Sequence, residues 1–160
     1  MKKKEITIHF EEFEHLENLP AEDQLLFKEA QKGLLKSYSP YSQFKVGAAV
    51  LLEDGTMLSG GNMENAAYPM CICAEGVILS SVESSKPNAT IKAMAITVKS
   101  PSQVINYPVS PCGSCRQMIS EKENRQSTPI RIILKGESGP FHVFDTVKRL
   151  LPFSFSSDSL

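Results

Sequence analysis

Residues 73–82 read Cys-Ala-Glu-Gly-Val-Ile-Leu-Ser-Ser-Val, and residues 111–115 read Pro-Cys-Gly-Ser-Cys. The first stretch places a cysteine directly before an apolar segment that is typical of a buried helix. In the second stretch, a proline and a glycine favour the start of another helix. Cys112 and Cys115 are three residues apart, so both sulfurs can point to one side of a helix's first turn. We therefore expect two helix N-termini that bring three thiols together.

Helical and strand patterns alternate along the rest of the chain. Periodicity and turn residues predict helices over residues 20–36, 74–82, 115–122 and 145–150. They predict strands over residues 6–10 (at an edge), 46–52, 56–60, 91–98, 130–134 and, weakly, 141–144. This alternation, after an opening hairpin, predicts an α/β protein: a three-layer α/β/α sandwich with a mixed central sheet of about five strands.

The composition is that of one compact domain. The 160 residues are 41% hydrophobic and carry a formal net charge of −1. Near-neutral charge argues against an overall electrostatic footprint for nucleic acid or for an anionic membrane. The basic start, Lys2 to Lys4, is not followed by a long apolar stretch, so we expect neither a signal peptide nor a membrane anchor, and a cytoplasmic location.

Three thiolates at two helix N-termini are suited to a catalytic zinc ion. The partial positive charge of a helix N-terminus favours the thiolate form. Three ligands, Cys73, Cys112 and Cys115, leave one tetrahedral position open, which is typical of catalytic zinc. Glu75, two residues after the first ligand, can approach that position without being a ligand, and can carry a proton from water to the substrate. We therefore predict one Zn²⁺ per chain and Glu75 as the catalytic acid and base.

Two other interpretations of the four cysteines remain open at this point. Cys71 could be a fourth ligand in a structural zinc site, or the cysteines could form two disulfides. The single residue between Cys71 and Cys73 is an awkward spacing for two ligands, and a four-cysteine site would leave Glu75 unexplained. We therefore expect Cys71 to be a small buried side chain.

With these residues assembled, the chain resembles the tetrameric, three-cysteine class of cytidine deaminases over about residues 37–155. A ligand, one residue, a glutamate and then Pro-Cys-x-x-Cys is the arrangement described for zinc deaminases. Five motifs in the same order carry the resemblance: Tyr41-Ser42-Gln43-Phe44-Lys45-Val46-Gly47-Ala48, Asn62-Met63-Glu64-Asn65-Ala66-Ala67-Tyr68-Pro69, Cys73-Ala74-Glu75, Pro111-Cys112-Gly113-Ser114-Cys115-Arg116-Gln117 and Leu150-Leu151-Pro152-Phe153-Ser154-Phe155.

The resemblance implies hydrolytic deamination of cytidine and 2'-deoxycytidine to uridine and 2'-deoxyuridine, with release of ammonia, in pyrimidine salvage. It implies that Phe44 stacks on the pyrimidine, and that Asn62 and Glu64 bind the ribose hydroxyls. The backbone of Ala74 would help Glu75 to hold the base edge. Plain core packing for the aromatic side chain, or a turn role for the asparagine and glutamate, are the structural alternatives.

The resemblance also implies a homotetramer with active sites shared between subunits. Phe155 would reach the ligand of a neighbouring subunit, unless it is a core residue, and Tyr68 would lie near the same interface. We expect an N-terminal extension over residues 1–20, the cytidine deaminase domain over 21–155 and a flexible tail over 156–160.

One residue departs from the family pattern beside the metal site. Many members have arginine directly after Cys-Ala-Glu, where this chain has Gly76. Zn²⁺ with three thiolates sums to −1, so some charge must be offset elsewhere. Our hypothesis is that Arg116 supplies part of this charge compensation. We expect the three histidines to be surface or structural residues: His9, His15 and His142.

Three competing functions differ in what they require of the chain. A deaminase of another aminopyrimidine nucleoside, such as a nucleoside antibiotic, would not need the ribose motif at residues 62–65. A nucleic-acid editing deaminase would need a basic stripe, which the near-neutral composition does not provide. A non-catalytic zinc-stabilised binding module would need the cysteines but not Glu75.

Overall fold

The strands form one mixed six-stranded sheet in the computed structural model, which describes residues 1–157. The strands are β1 (Glu11–Phe13), β2 (Lys45–Leu52), β3 (Met57–Gly61), β4 (Ile91–Lys99), β5 (Arg131–Lys135) and β6 (Phe141–Phe144). Their order across the sheet is β1-β6-β5-β4-β2-β3. Only β4 and β5 are parallel among the paired strands of the described residues, and the other neighbours are antiparallel.

Three α-helices cover both faces of this sheet: α1 (Ala21–Gly33), α2 (Ala74–Ser85) and α3 (Gly113–Gln126). Buried residues of α1 pack on one face of the sheet, and those of α2 and α3 pack on the other face. The predicted three-layer sandwich is therefore confirmed, with six strands where about five were expected. None of these helices is long and apolar enough to cross a bilayer.

The N-terminal strand differs from the prediction. Residues 6–10 alternate in polarity but form no strand, and the edge strand is β1, which pairs with β6. Phe13 packs against the core on the α1 side, and His142 of β6 contacts Glu12 at 2.8 Å between Nε2 and Oε2. The edge strand forms at the residues that have both a core contact and a cross-strand partner. The alternating polarity of residues 6–10 was not sufficient, so the strand was predicted at the wrong residues. The contact with Glu12 is consistent with the prediction that His142 is a surface or structural residue.

The backbone of α1 and of the segment after it packs directly against the backbones of β2 and β3 at two glycines. A Cβ atom on Gly47 would lie 2.2 Å from the carbonyl oxygen of Ala30 and 2.7 Å from the backbone nitrogen of Leu34. A Cβ atom on Gly61 would lie 2.4 Å from the backbone nitrogen of Ser37. Only glycine permits this packing of α1 onto β2 and β3, which sets the starting point of the loop that runs from residue 37 into β2.

A buried carboxylate holds α3 against the sheet. Glu123 is only 4% exposed. It accepts hydrogen bonds from the backbone nitrogens of Ile130, at 2.9 Å, and Val147, at 3.2 Å, and from the hydroxyl of Thr146. One side chain therefore joins α3, the approach to β5 and the segment after β6.

Replacing Glu123 with alanine should lower the free energy of unfolding by about 2–4 kcal/mol, because buried backbone donors would lose their partner. Urea denaturation followed by circular dichroism at fixed protein concentration measures this. The matched control is Glu121→Ala, an exposed position on the same helix, which should stay within about 0.5 kcal/mol of wild type. Equal effects of the two substitutions would contradict the anchoring role.

Candidate active site

Three thiols converge where α2 and α3 begin. Cys73 is the residue that precedes the first turn of α2, Cys112 occupies the same position before α3, and Cys115 lies buried in the first turn of α3. The three sulfurs lie within 4.8 Å of one another, and the Sγ atoms of Cys73 and Cys112 are 3.8 Å apart. The predicted convergence of the two helix N-termini is therefore present in the fold.

The donor set and its spacing fit zinc. In a tetrahedral zinc site with Zn–S bonds of about 2.3 Å, two sulfurs are separated by about 3.8 Å. The distance between Cys73 Sγ and Cys112 Sγ, 3.8 Å, agrees with that value. Thiolates at helix N-termini also have the charge and softness that zinc prefers.

Hydrogen bonding within the cluster separates the acidities of the thiols. The contact with the Cys115 thiol lowers the pKa of Cys73 to about 6. The same contact, together with burial, raises the pKa of Cys115. One thiol of the group is therefore predisposed to ionise before any cation is present.

A cavity of about 360 Å³ opens beside the thiols. Glu75, in the first turn of α2 and 3% exposed, lies on its wall, and burial raises the pKa of this carboxyl. Aromatic, polar and aliphatic side chains complete the lining: Ser42, Phe44, Val46, Asn62, Met63, Glu64, Cys71, Ile72, Cys73, Ile96, Val98, Val109, Ser110 and Cys112. Larger surface cavities, of about 660 and 710 Å³, lie along α3 and are lined by other residues.

Glu64 holds the loop opposite the thiols. Its Oε2 accepts the backbone N–H groups of Tyr41, at 2.9 Å, and Ser42, at 3.2 Å. Its Oε1 accepts the hydroxyl of Ser42, and this hydrogen bond holds the pKa of Glu64 below its ordinary value. A carboxylate offers about four acceptor positions, so about one remains for a ligand in the cavity.

Asn62 holds the same loop from the other side. Its Oδ1 accepts from the hydroxyl of Ser37 at 2.6 Å and from the backbone nitrogen of Val46 at 2.9 Å. Its Nδ2 donates to the carbonyl of Phe44 at 3.0 Å. The second N–H of the amide stays available to a ligand, so Asn62 and Glu64 combine a structural role with a binding one.

The predicted substrate residues divide into two groups. Phe44, Asn62 and Glu64 line the cavity, and Ala74 is fully buried at the first position of α2. Phe44 keeps part of its surface exposed on the cavity wall, as a stacking surface requires and core packing does not.

Two predicted aromatic residues lie outside the cavity of this chain. Tyr68 is 72% exposed, and its ring contacts the ring of Tyr41 edge-on at 6.3 Å between centroids. Phe155 is 60% exposed, and its carbonyl accepts a hydrogen bond from Gln117 at 2.9 Å. Core packing is therefore the wrong interpretation of Phe155.

Sequence reasoning placed Cys71 incorrectly and missed several lining residues. Cys71 is exposed, not buried, and its sulfur accepts the backbone N–H of Asn65 at 3.2 Å on the cavity wall. The general preference of cysteine for buried positions did not determine the exposure of Cys71, which is set by the path of the backbone at that point. Ser42 lies inside one family motif and Ser110 directly precedes another, and that proximity was the available indication of their place on the wall.

Comparison with known families decides the family to which this chain belongs. Residues 20–128 match the model of the cytidine and deoxycytidylate deaminase zinc-binding region, which is more than half of the chain. The chain belongs to this family. The resemblance to cytidine deaminases found in the sequence motifs is therefore confirmed at the level of the family.

Relatives of this deaminase family member extend over most of its length. It is 40% identical over 135 residues to a cytidine deaminase of Sporosarcina psychrophila, covering 84% of this chain and 92% of the relative. It is 34% identical to a cytidine deaminase of Halalkalibacterium halodurans, covering 86% and 96%. A crystal structure of cytidine deaminase from Burkholderia pseudomallei matches with a TM-score of 0.70 and 32% identity, covering 82% of this chain and 97% of that one.

The position where many family members have arginine is closely packed in this chain. A Cβ atom on Gly76 would lie 3.8 Å from the sulfur of Met118 but only 3.2 Å from Cγ2 of Ile72, which would have to shift by a few tenths of an ångström to admit a side chain. Arg116, the residue expected to compensate the metal charge, donates from Nε to the carbonyl of Pro111 and from Nη1 to the carbonyl of Leu150, both at 2.8 Å. This deaminase family member therefore uses Arg116 to join the segment before Cys112 to the C-terminal segment.

Removing this guanidinium should loosen the C-terminal segment. For Arg116→Ala, we expect tryptic cleavage after Arg149 to accelerate about tenfold, because a hydrogen bond to a charged group contributes about 1.5–3 kcal/mol and cleavage follows local opening. Mass spectrometry of timed digests measures this. Arg125→Ala, which removes an exposed arginine of the same helix, is the control and should leave that cleavage unchanged. Unaltered cleavage in Arg116→Ala would show that the two hydrogen bonds do not hold the segment.

Proposed function

We propose that this chain is a zinc-dependent hydrolase that deaminates cytidine and 2'-deoxycytidine to uridine and 2'-deoxyuridine, releasing ammonia, in pyrimidine salvage. The observation that carries the proposal is a buried carboxylate, Glu75, at the wall of a cavity that two of the three clustered thiols, Cys73 and Cys112, also line. Membership of the family, and relatives named cytidine deaminase at 40% and 34% identity, support the choice of substrate.

The proposed cofactor is one Zn²⁺ per chain, held by Cys73, Cys112 and Cys115. The donor chemistry and the 3.8 Å separation between the Sγ atoms of Cys73 and Cys112 support this ligand set. When bound, zinc supplies Lewis acidity that lowers the pKa of a water molecule.

Glu75 is the proposed proton carrier. Its carboxylate accepts a proton from the water that attacks C4 of the cytosine ring and delivers a proton to ring N3. It then takes the proton of the new C4 hydroxyl and transfers it to the amino group, so that the C4–N bond breaks and cytidine and water give uridine and ammonia. Its burial excludes bulk water from the carboxylate and limits the number of groups that can exchange protons with it.

The opposite wall is proposed to bind the rest of the nucleoside. The face of Phe44 stacks on the pyrimidine, since an aromatic face binds any base. The remaining acceptor of Glu64 and the remaining donor of Asn62 suit a sugar hydroxyl, which is both donor and acceptor. The backbone N–H of Ala74, in the first turn of α2, is available to the base edge because it has no partner within the helix.

The wider organisation follows as part of the proposal. A homotetramer would cover Tyr68 and Phe155, which are large and exposed here, and would let them serve the site of a neighbouring subunit. Residues 1–20 are proposed as an extension that contributes the edge strand β1, residues 21–155 as the deaminase domain and 156–160 as a tail, of which 158–160 lie outside the described residues. The proposed location is the cytoplasm.

Substituting Glu75 tests the chemistry. Purified wild type should remove the ultraviolet absorbance band of cytidine, and Glu75→Gln should lower kcat by about 10²–10⁴-fold, the range expected when a general acid and base is lost. Bound zinc, measured by mass spectrometry on the same sample, should stay near the wild-type amount. Retained uridine production in Glu75→Gln would exclude the catalytic assignment, and zinc without turnover in wild type would favour a different nucleoside or a binding module.

Substituting the cysteines tests the metal site. Cys112→Ser should lose most of the bound zinc, because a neutral hydroxyl replaces a thiolate ligand. Cys71→Ser changes a cysteine on the same cavity wall that is outside the three-thiol group, and should retain about one zinc per chain. Equal loss of zinc from both variants would favour a four-cysteine site and contradict the proposed ligand set.

A further inference from the structure

We propose that Ser42 is a positioning residue, whose hydroxyl joins the carboxylate of Glu64 to the backbone of Phe44. The inference rests on the proposed function, because it assigns Glu64 to the sugar and Phe44 to the base of a nucleoside. The new element is that one hydroxyl couples the position of Glu64, which contacts the sugar, to the position of Phe44, which stacks on the base.

The Ser42 side chain forms hydrogen bonds both to Glu64 and to the backbone of Phe44. Its hydroxyl donates to Oε1 of Glu64, and its oxygen accepts the backbone N–H of Phe44 at 3.0 Å. Its own backbone N–H donates to Oε2 of the same carboxylate at 3.2 Å. A serine hydroxyl has one hydrogen to donate and lone pairs to accept, so this single group completes the chain of contacts.

The backbone between these residues needs such a restraint. Gln43 has φ +56°, in the left-handed region. This backbone conformation is unfavourable for residues other than glycine. The backbone N–H of Gln43 donates to the carbonyl of Ser39 at 3.0 Å. The turn that presents Phe44 is therefore held in a disfavoured conformation by hydrogen bonds within it, which involve Ser39 and Ser42, and by those of Glu64 from outside it.

The backbone of Phe44 is held at both polar groups. The hydroxyl of Ser42 accepts the N–H of Phe44 at 3.0 Å, and the side-chain amide of Asn62 donates to the carbonyl of Phe44 at 3.0 Å. Both holders line the cavity. A shift of the Phe44 backbone would therefore break its contact with Ser42, which is bonded to Glu64, or its contact with Asn62.

This coupling predicts an effect on binding more than on chemistry. Phe44 and Glu64 contact parts of the nucleoside away from the reacting C4, so their positioning stabilises the bound ground state and the transition state alike. Loss of the hydroxyl should therefore raise KM and leave kcat nearly unchanged. A general loss of folding would lower the amount of active enzyme and change kcat instead.

The experiment compares Ser42→Ala, Ser42→Thr and Ser102→Ala, in the zinc-loaded full chain with cytidine. Ser42→Ala should raise KM about tenfold with kcat within about twofold, and Ser42→Thr, which keeps a hydroxyl, should restore most of the wild-type KM. Ser102 is an exposed loop serine whose hydroxyl contacts Ser100, and Ser102→Ala should match wild type. A wild-type KM in Ser42→Ala, or no restoration by threonine, would overturn the inference.

A double-mutant cycle identifies the path of the effect. In a Glu64→Ala background, adding Ser42→Ala should change KM by less than about twofold, because the hydroxyl has lost the carboxylate that fixes it. Independent, multiplying effects of the two substitutions would overturn the coupling. Calorimetric Kd values for uridine in the same variants separate this outcome from failure of the proposed function: absent turnover of cytidine in wild type contradicts the function, whereas an unchanged Kd in Ser42→Ala contradicts the inference.

Discussion

The meeting of two helix N-termini on one face of the sheet is the constraint on which the site depends. Cys73 and Cys112 each precede a helix, and their sulfurs lie 3.8 Å apart. That separation requires α2 and α3 to pack side by side on the same core, which the apolar cluster shared by both helices and the sheet provides. The same helix ends supply partial positive charge to groups that must ionise, so packing and electrostatics favour the same arrangement.

The opposite wall depends on polar contacts across long stretches of sequence. Glu64 and Asn62 follow β3, yet they fix a loop some twenty residues earlier, between α1 and β2. The glycine contacts between α1, β2 and β3 bring these segments close enough for such hydrogen bonds. The two walls of the cavity thus have different origins: helix packing sets the thiols and Glu75, and side-chain hydrogen bonds set Phe44.

Local patterns predicted the elements whose burial is periodic, and they did not predict contacts that require a distant partner. The apolar run of β4 and the cysteine-led start of α2 were recognisable because each pattern spans several residues. The edge strand was misplaced because its position depends on β6, about 130 residues away. The exposure of Cys71 and the contact between Ser42 and Glu64 were missed for the same reason, since neither depends on spacing within one element.

The exposed aromatic residues support the proposal that a neighbouring subunit contributes to each site. Tyr41 donates its backbone N–H to Glu64 and its ring contacts that of Tyr68, so Tyr68 lies beside the loop that Glu64 holds, with 72% of its surface exposed. Phe155 is held through its backbone by Gln117, one residue from Arg116, while 60% of it stays exposed. An aromatic residue that is held by its backbone while its ring remains exposed to water contributes little to the stability of a single chain. The arrangement becomes favourable when another surface covers the ring, which is the physical reason for proposing shared sites in a homotetramer.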